Sequence, residues 1–137
     1  MRQRYVDALC KEWRLRQQEL RAPVRTIYIG GGTPSQLEPQ QLRQLCGELG
    51  WGEVGKNKKI KDGKRREVTI ECNPDDVTEA FAALLEELPV NRVSMGAQTS
   101  SDERLRFLHR RHTSAQVVQA VSRLRAAGIG NISIDLM

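Results

Sequence analysis

Residues that could bind a small molecule occur directly at the ends of short apolar segments of this sequence. Three glycines, a threonine and a proline follow VRTIYI, and Glu71 ends EVTIE. Gln98 ends NRVSMGAQ, and Asp135 interrupts the apolar segment ISIDLM. Two carboxylates, an amide and a glycine-rich loop with accessible N–H groups suit a zwitterionic ligand that carries a ribose.

Each of these groups has a place in that chemistry. A carboxylate and backbone carbonyls could receive an ammonium group, and Arg110 of LHRRHT could hold a carboxylate with two parallel hydrogen bonds. Gln98 and Asp135 could bind vicinal hydroxyls, as acidic residues do for ribose in other nucleotide sites. The glycine run lacks the GxxxxGK[ST] pattern, so a phosphate-binding P-loop is not indicated.

Structural roles stay open for the same residues. The glycines could form only a tight turn with positive φ, Glu71 could cap a turn, and Gln98 could satisfy neighbouring loop backbone. His109 and His112 are more typical of surface or capping residues than of ligands. Asp135 is the hardest to explain structurally, because a carboxylate within an apolar strand needs a partner to offset its desolvation.

Helices and strands that alternate along the chain must position these residues. Apolar periodicity predicts helices over 2–20, 38–49, 76–87, 101–109 and 113–128. β-Branched segments predict strands over 24–29, 67–71, 91–95 and 131–136. This order predicts an α/β fold with four parallel strands, right-handed crossovers and a sheet covered on both faces. The carboxyl ends of the strands then meet at one edge, where ligands gather in such folds.

Capping signals locate two of the helix starts. Asp76 with Glu79, and Thr113 with Gln116, have the spacing of a capping box. The helix that Thr113 begins carries the apolar residues Val117, Val118, Val121 and Leu124.

The composition is that of one globular domain without a membrane span or signal peptide, which predicts a cytoplasmic location. Of the 137 residues 39% are hydrophobic, and no apolar run approaches the roughly 18 residues of a membrane span. Residues 56–66 hold seven basic residues and one acid, so they contribute +6 of the net charge of +5 and leave −1 elsewhere. Residues 50–66 are therefore predicted to be a basic inserted loop; nucleic-acid binding is the less favoured alternative, because no aromatic residue lies inside the run.

Five segments, taken together and in order, resemble one protein family. IGGGTP, IECNPDD, NRVSMGAQ, LHRRHT and GIGNISIDLM are similar to the radical S-adenosylmethionine proteins of the oxygen-independent coproporphyrinogen III dehydrogenase group. They look closest to its haem-chaperone branch, often described as coproporphyrinogen oxidase-like. The resemblance covers nearly the whole chain except the basic loop.

The resemblance implies a fold, two cofactors and a set of site residues. The implied fold is an incomplete parallel (β/α) barrel, of which residues 1–137 would form a partial core domain. The implied cofactors are S-adenosylmethionine and a 4Fe-4S cluster that cleaves it to a deoxyadenosyl radical, and the implied partner is haem or a porphyrin. Gly31, Gly32 and Thr33 match the loop that holds the methionyl end. The remaining contacts to S-adenosylmethionine match Glu71, Gln98, Arg110 and Asp135.

The chain departs from the family in its cysteines. The family has a CxxxCxxC motif shortly before the first helix, whereas this sequence has only Cys10, Cys46 and Cys72, too far apart to serve one loop. They are expected to be reduced, buried thiols. The chain is therefore expected to be an internal fragment that lacks N- and C-terminal parts of its parent and cannot assemble the cluster alone.

Alternative functions remain open beside the haem chaperone. The parent could instead be the dehydrogenase that decarboxylates coproporphyrinogen III in porphyrin biosynthesis. Independently of the family, the chain could be a small α/β domain that binds another nucleotide.

Overall fold

A computed structural model describes residues 1–49 and 66–137 of the chain. Its helices are α1 (Arg2–Arg16), α2 (Pro39–Glu48), α3 (Glu79–Glu87), α4 (Asp102–Phe107) and α5 (Ser114–Ala126). Its strands are β1 (Thr26–Ile29), β2 (Glu67–Cys72), β3 (Arg92–Gln98) and β4 (Asn131–Leu136). Short 3₁₀ turns lie at Gln17–Glu19, Pro34–Gln36 and Pro74–Asp76. Apart from Arg66, the basic loop predicted over 50–66 lies outside the described residues.

The four strands form one parallel sheet in the order β1-β2-β3-β4. Ile29 lies opposite Ile70, and Met95 lies between Cys72 and Ile134 on its two neighbours. Parallel neighbours require a crossover connection, and helices occur between successive strands. The predicted α/β fold with four parallel strands is therefore confirmed.

The two faces of the sheet differ in chemistry, because side chains alternate along each strand. One face carries Ile29, Ile70 and Met95 into a single core, which the helices complete with residues such as Val6, Cys10, Leu42, Leu85 and Leu124. The other face carries Tyr28 and Glu71, which are hydrogen-bonded to each other. The prediction that both faces of the sheet are covered holds only in part within the described residues: Thr69 and Ser94 on this face are buried, whereas Tyr28 is 57% exposed.

Side-chain hydrogen bonds mark the helix starts. The Thr113 hydroxyl accepts from the N–H of Gln116, whose side chain accepts from the N–H of Thr113, so the predicted capping box is confirmed. The predicted start of α3 at Asp76 is wrong. Thr78 caps that helix, because the chain makes a 3₁₀ turn at Asp76, whose carboxylate accepts a hydrogen bond from Ser35.

The apolar residues of α5 differ in burial. Ala120 and Leu124 are fully buried, and Val117 and Val121 pack partly against the core, but Val118 is 67% exposed. At 100° per residue, Val118 lies about 120° around the helix from Leu124, which directs it to solvent. The β-branched side chain alone does not indicate burial.

Two further element ends differ from the predictions by three or four residues. α1 ends at Arg16 and continues as a 3₁₀ turn, so the predicted helical residue Leu20 follows it at 49% exposure. β3 runs three residues beyond its predicted end at Met95, which brings Gln98 into the strand. Within 1–49 and 66–137, no helix has the length and apolar character needed to cross a membrane.

The packing of α5 predicts unequal effects for two truncations on that helix. Leu124→Ala removes a fully buried side chain and should lower the free energy of unfolding by about 2–5 kcal/mol. Val118→Ala removes an exposed side chain and should change it by no more than about 0.5 kcal/mol. Urea denaturation followed by circular dichroism measures both, and equal losses would contradict this orientation of the helix.

Candidate functional site

A cleft of about 250 Å³ lies at the carboxyl ends of the four strands. Six of the seven predicted site residues line it: Gly32, Thr33, Glu71, Gln98, Arg110 and Asp135. Cys72, Asn73, Ser94 and Gly96 complete the lining. The seventh predicted residue, Gly31, lies outside the lining but is hydrogen-bonded to Glu71. The parallel register brings these residues together because it aligns the ends of all four strands.

Glu71, near the end of β2, ties the glycine-rich loop to the sheet. Its Oε2 accepts from the Gly31 N–H at 3.1 Å, and its Oε1 accepts from the Tyr28 hydroxyl at 2.8 Å. Gly31 has φ +80° and Gly32 has φ +130°, conformations that favour glycine. The loop therefore needs two successive glycines to turn its backbone past the carboxylate of Glu71.

Two other glycines leave the space that the functional side chains occupy. A Cβ on Gly30 would lie 2.6 Å from Tyr28 and 2.8 Å from the carboxyl carbon of Glu71. A Cβ on Gly96 would lie 2.9 Å from Nε2 of Gln98 and 3.4 Å from the Arg110 guanidinium. Because both glycines lack a Cβ, they leave room for these longer side chains.

Arg110 is held across the cleft by a single nitrogen. Its Nη2 donates to Oδ1 of Asn73 at 2.9 Å and to the Gly96 carbonyl at 3.2 Å. The half-buried guanidinium thus links the loop after β2 to the end of β3. Both of these bonds use Nη2, and the remaining guanidinium nitrogens have the geometry to hold an anionic group of a ligand.

Gln98 lies at an irregularity between β3 and β4. The pairing shifts register between Gly96 and Gln98, and Gln98 has φ +65°. Its carbonyl accepts from the Met137 N–H at 2.9 Å, so its backbone remains attached to the end of β4. Bulges of this kind redirect side chains at strand ends, and here the amide of Gln98 lines the cleft.

Asp135 is exposed rather than desolvated, which corrects the expectation for a carboxylate inside ISIDLM. It lies on the polar face of β4, the last strand in the described sheet, where water reaches it. Its Oδ2 accepts from the Ser94 hydroxyl at 3.2 Å. This bond orients the carboxylate toward the cleft, and no large burial cost has to be offset.

Tyr28 and Ser94 are cleft-side residues that sequence reasoning missed. Tyr28 bonds Glu71, and Ser94 bonds Asp135, so each supports one predicted carboxylate. Asn73, which follows β2 and accepts a hydrogen bond from Arg110, is a further residue that the sequence did not assign a role. The two-residue spacing from Tyr28 to Gly30 and from Ser94 to Gly96 was the available signal, since it puts them on the face of Glu71.

The pKa of Tyr28 is raised above its ordinary value. The hydrogen bond to the carboxylate of Glu71 is the main cause, and burial adds to it, whereas a bond with Ser94 acts in the opposite direction. A neighbouring carboxylate favours the neutral phenol, because ionisation would bring two negative charges together.

The three cysteines do not form a ligand set for an iron–sulfur cluster. All three are free and buried, which confirms the expectation of reduced thiols. Burial raises the pKa of Cys46 to about 11 and that of Cys72 to about 12, so both thiols stay protonated, whereas cluster ligands are thiolates. Among the residues that the structure describes, no group of three His, Cys, Asp or Glu side chains could hold a metal ion.

The sequence of this chain matches one known protein superfamily. A sequence model of the radical SAM superfamily, where SAM is S-adenosylmethionine, matches residues 5–137. The chain belongs to this superfamily. The match includes every cleft-lining residue, and it confirms the family resemblance and the fold class that the sequence indicated.

Individual radical SAM relatives are haem-related proteins. The chain is 38% identical over 133 residues to the heme chaperone HemW of Lactococcus lactis, covering 97% of this chain and 32% of HemW. It is 31% identical over 128 residues to the oxygen-independent coproporphyrinogen-III oxidase-like protein HemZ of Bacillus subtilis, covering 92% of this chain and 24% of HemZ. The chain spans about a third or less of the length of these curated relatives.

A solved radical SAM enzyme has a similar fold. Coproporphyrinogen III oxidase HemN from Escherichia coli superposes with a TM-score of 0.78 at 25% sequence identity. The superposition covers 98% of this chain and 30% of the HemN chain. The four-stranded sheet of this chain therefore corresponds to part of the fold of a larger radical SAM enzyme.

The bond between Tyr28 and Glu71 predicts a titration that depends on one carboxylate. In a Tyr5→Phe background, Tyr28 is the only tyrosine. Glu71→Gln should lower the pKa of Tyr28, because the amide is uncharged, whereas Glu67→Gln on the same strand should leave it unchanged. Ultraviolet absorbance of the tyrosinate measures this titration.

The raised pKa also fixes how this phenol contributes to stability. Its contribution is present below the unfolded-state pKa of about 10 and is lost as the pH rises through the higher folded-state pKa. If Glu71→Gln leaves the pKa of Tyr28 unchanged, the hydrogen bond between Tyr28 and Glu71 does not exist in solution.

Proposed function

We propose that the cleft binds S-adenosylmethionine. The observation that carries this proposal is the grouping of complementary polar groups in one cleft of a radical SAM chain. An ammonium, a carboxylate and two ribose hydroxyls of the ligand each have a counterpart of suitable charge and hydrogen-bonding capacity among these groups. The polar character of the cleft supports a charged metabolite over an apolar one.

Each residue has a proposed role in holding this ligand. The backbone of Gly31, Gly32 and Thr33 receives the methionyl end, and Glu71 fixes the position of that loop. Arg110 binds the ligand carboxylate with the nitrogens that its protein partners leave available. Gln98 and Asp135 bind the ribose hydroxyls, and Ser94 orients Asp135.

The iron–sulfur cluster does not fit the residues of this chain. Its cysteines are buried and far apart in sequence, so we propose that any cluster ligands lie outside these 137 residues. In radical SAM proteins the cluster and S-adenosylmethionine together supply radical chemistry. This chain by itself would bind and orient S-adenosylmethionine without performing that chemistry. Its free thiols support a reducing, cytoplasmic location.

For a longer protein that contains this chain, we propose the role of a haem chaperone. The identity of 38% to HemW of Lactococcus lactis over 97% of this chain supports that branch. The second candidate is coproporphyrinogen III dehydrogenase, which the similarity to HemN supports at 25% identity. Haem or a porphyrin is the proposed partner in both cases.

Titration calorimetry tests the proposed ligand. S-Adenosylmethionine should bind to the chain, and ATP and NAD should bind much more weakly, because the carboxylates of Glu71 and Asp135 in the cleft repel phosphate groups. Arg110→Lys should weaken S-adenosylmethionine binding about tenfold, since an ammonium cannot reproduce the geometry of the guanidinium.

The adjacent arginine provides a matched control. Arg111 binds Asp75 and Asp76 and is exposed outside the cleft, so Arg111→Lys should leave the affinity within about twofold. Preference for ATP or NAD would overturn the proposed ligand. Equal effects of the two arginine substitutions would overturn the proposed role of Arg110.

A longer protein carrying this chain and the cluster-binding segment distinguishes the two candidates. The chaperone proposal predicts stoichiometric haem binding, followed by absorbance, and no decarboxylation of coproporphyrinogen III under anaerobic, reducing conditions. Catalytic turnover of coproporphyrinogen III by that protein would favour the dehydrogenase instead. The HemN enzyme provides the positive control for the assay.

A further inference from the structure

The carbonyl oxygen of Ala97 accepts two hydrogen bonds near the end of β3. The Thr99 N–H donates to it at 2.8 Å, which closes a three-residue turn around Gln98. Nε2 of His112 lies 3.1 Å from the same oxygen. Because a carbonyl oxygen only accepts hydrogen bonds, Nε2 carries the proton and donates.

The turn that receives these bonds is strained. Gln98 lies at its centre with φ +65°, and a turn of this kind is rare for a residue other than glycine. Such a conformation persists only where surrounding contacts hold it, and it is often found at functional sites. The side chain of Gln98 lines the cleft, so the strain lies at a residue that is proposed to bind the ligand.

One loop supplies two side chains to consecutive carbonyls of β3. Arg110 donates to Gly96, and His112 donates to Ala97. Arg110 lines the cleft, whereas His112 is only 3% exposed and is not among the lining residues. His112 thus has a buried hydrogen bond to Ala97. This residue lies between Gly96, which accepts from Arg110, and Gln98, which lines the cleft.

We infer that His112 is a positioning residue for the S-adenosylmethionine site. Its bond to Ala97 holds the strained turn that directs Gln98 into the cleft, and it fixes the loop that carries Arg110 against the end of β3. His112 touches no ligand itself. This inference rests on the proposed function of the cleft, and it adds a residue whose effect on binding is indirect.

Two substitutions separate the hydrogen bond from the volume of the side chain. His112→Leu keeps an apolar volume but removes the donor, and it should weaken S-adenosylmethionine binding about tenfold in calorimetric titration. His112→Gln retains an N–H donor at similar reach and should restore the affinity to within about threefold of wild type. Leu124→Ala, which truncates the core away from the cleft, should lower stability but leave the affinity unchanged.

A readout without ligand tests the same inference. In ¹H–¹⁵N spectra of the ligand-free chain, His112→Leu should shift the side-chain amide signals of Gln98 and Asn73, because Asn73 accepts from Arg110. His112→Gln should restore both signals, and Leu124→Ala should not move them.

The outcomes distinguish failure of the inference from failure of the proposed function. If wild type does not bind S-adenosylmethionine, the proposed ligand is wrong, and the spectra alone then decide whether His112 holds the turn. If wild type binds but His112→Leu binds equally well, or if His112→Gln loses as much affinity as His112→Leu, the inference is overturned. Unmoved amide signals in His112→Leu overturn it as well.

Discussion

The parallel pairing of four strands, with side chains alternating between two faces, is the constraint on which this molecule depends. The odd-numbered residues of β1, such as Ile29, and the even-numbered residues of β2, such as Ile70, point to the same face of the sheet. They pack into one apolar core with residues of α1, α2, α3 and α5. The intervening residues, such as Tyr28 and Glu71, are left on the opposite face. A slip of one residue in any strand would exchange the two sets, so the stability of the core and the composition of the cleft are fixed by the same register.

The cleft is formed as much by missing side chains as by those present. Gly30 and Gly96 lie on the polar face, and the volume that their Cβ atoms would fill is occupied by Tyr28, Glu71, Gln98 and Arg110. Tyr28 and Glu71 therefore lie over Gly30, and Gln98 and Arg110 lie near Gly96. The polar atoms of Tyr28, Glu71 and Arg110 have protein partners that fix their orientation, which lowers the entropy that a ligand would have to remove on binding.

The polar groups of the cleft contrast with the cysteines of the core. Glu71, Asp135 and Arg110 each have a hydrogen-bonded protein partner while keeping contact with the cleft. Cys46 and Cys72 are buried among apolar residues, and burial raises their pKa values to about 11 and about 12. The polar groups thus face the cleft that we propose to bind S-adenosylmethionine, whereas the thiols belong to the packing of the domain.

The sequence by itself determined the parallel α/β order, the helix that Thr113 caps, and the polar residues at the strand ends, because these depend on local periodicity and on neighbours a few residues away. Only the tertiary structure decided that one face of the sheet is polar, that Val118 is exposed, and that Asp135 is solvated. It also decided that Tyr28, Ser94 and His112 support the cleft. Their partners lie 15 to 43 residues away along the chain, and hydrogen bonds over such separations exist only once the strands have paired.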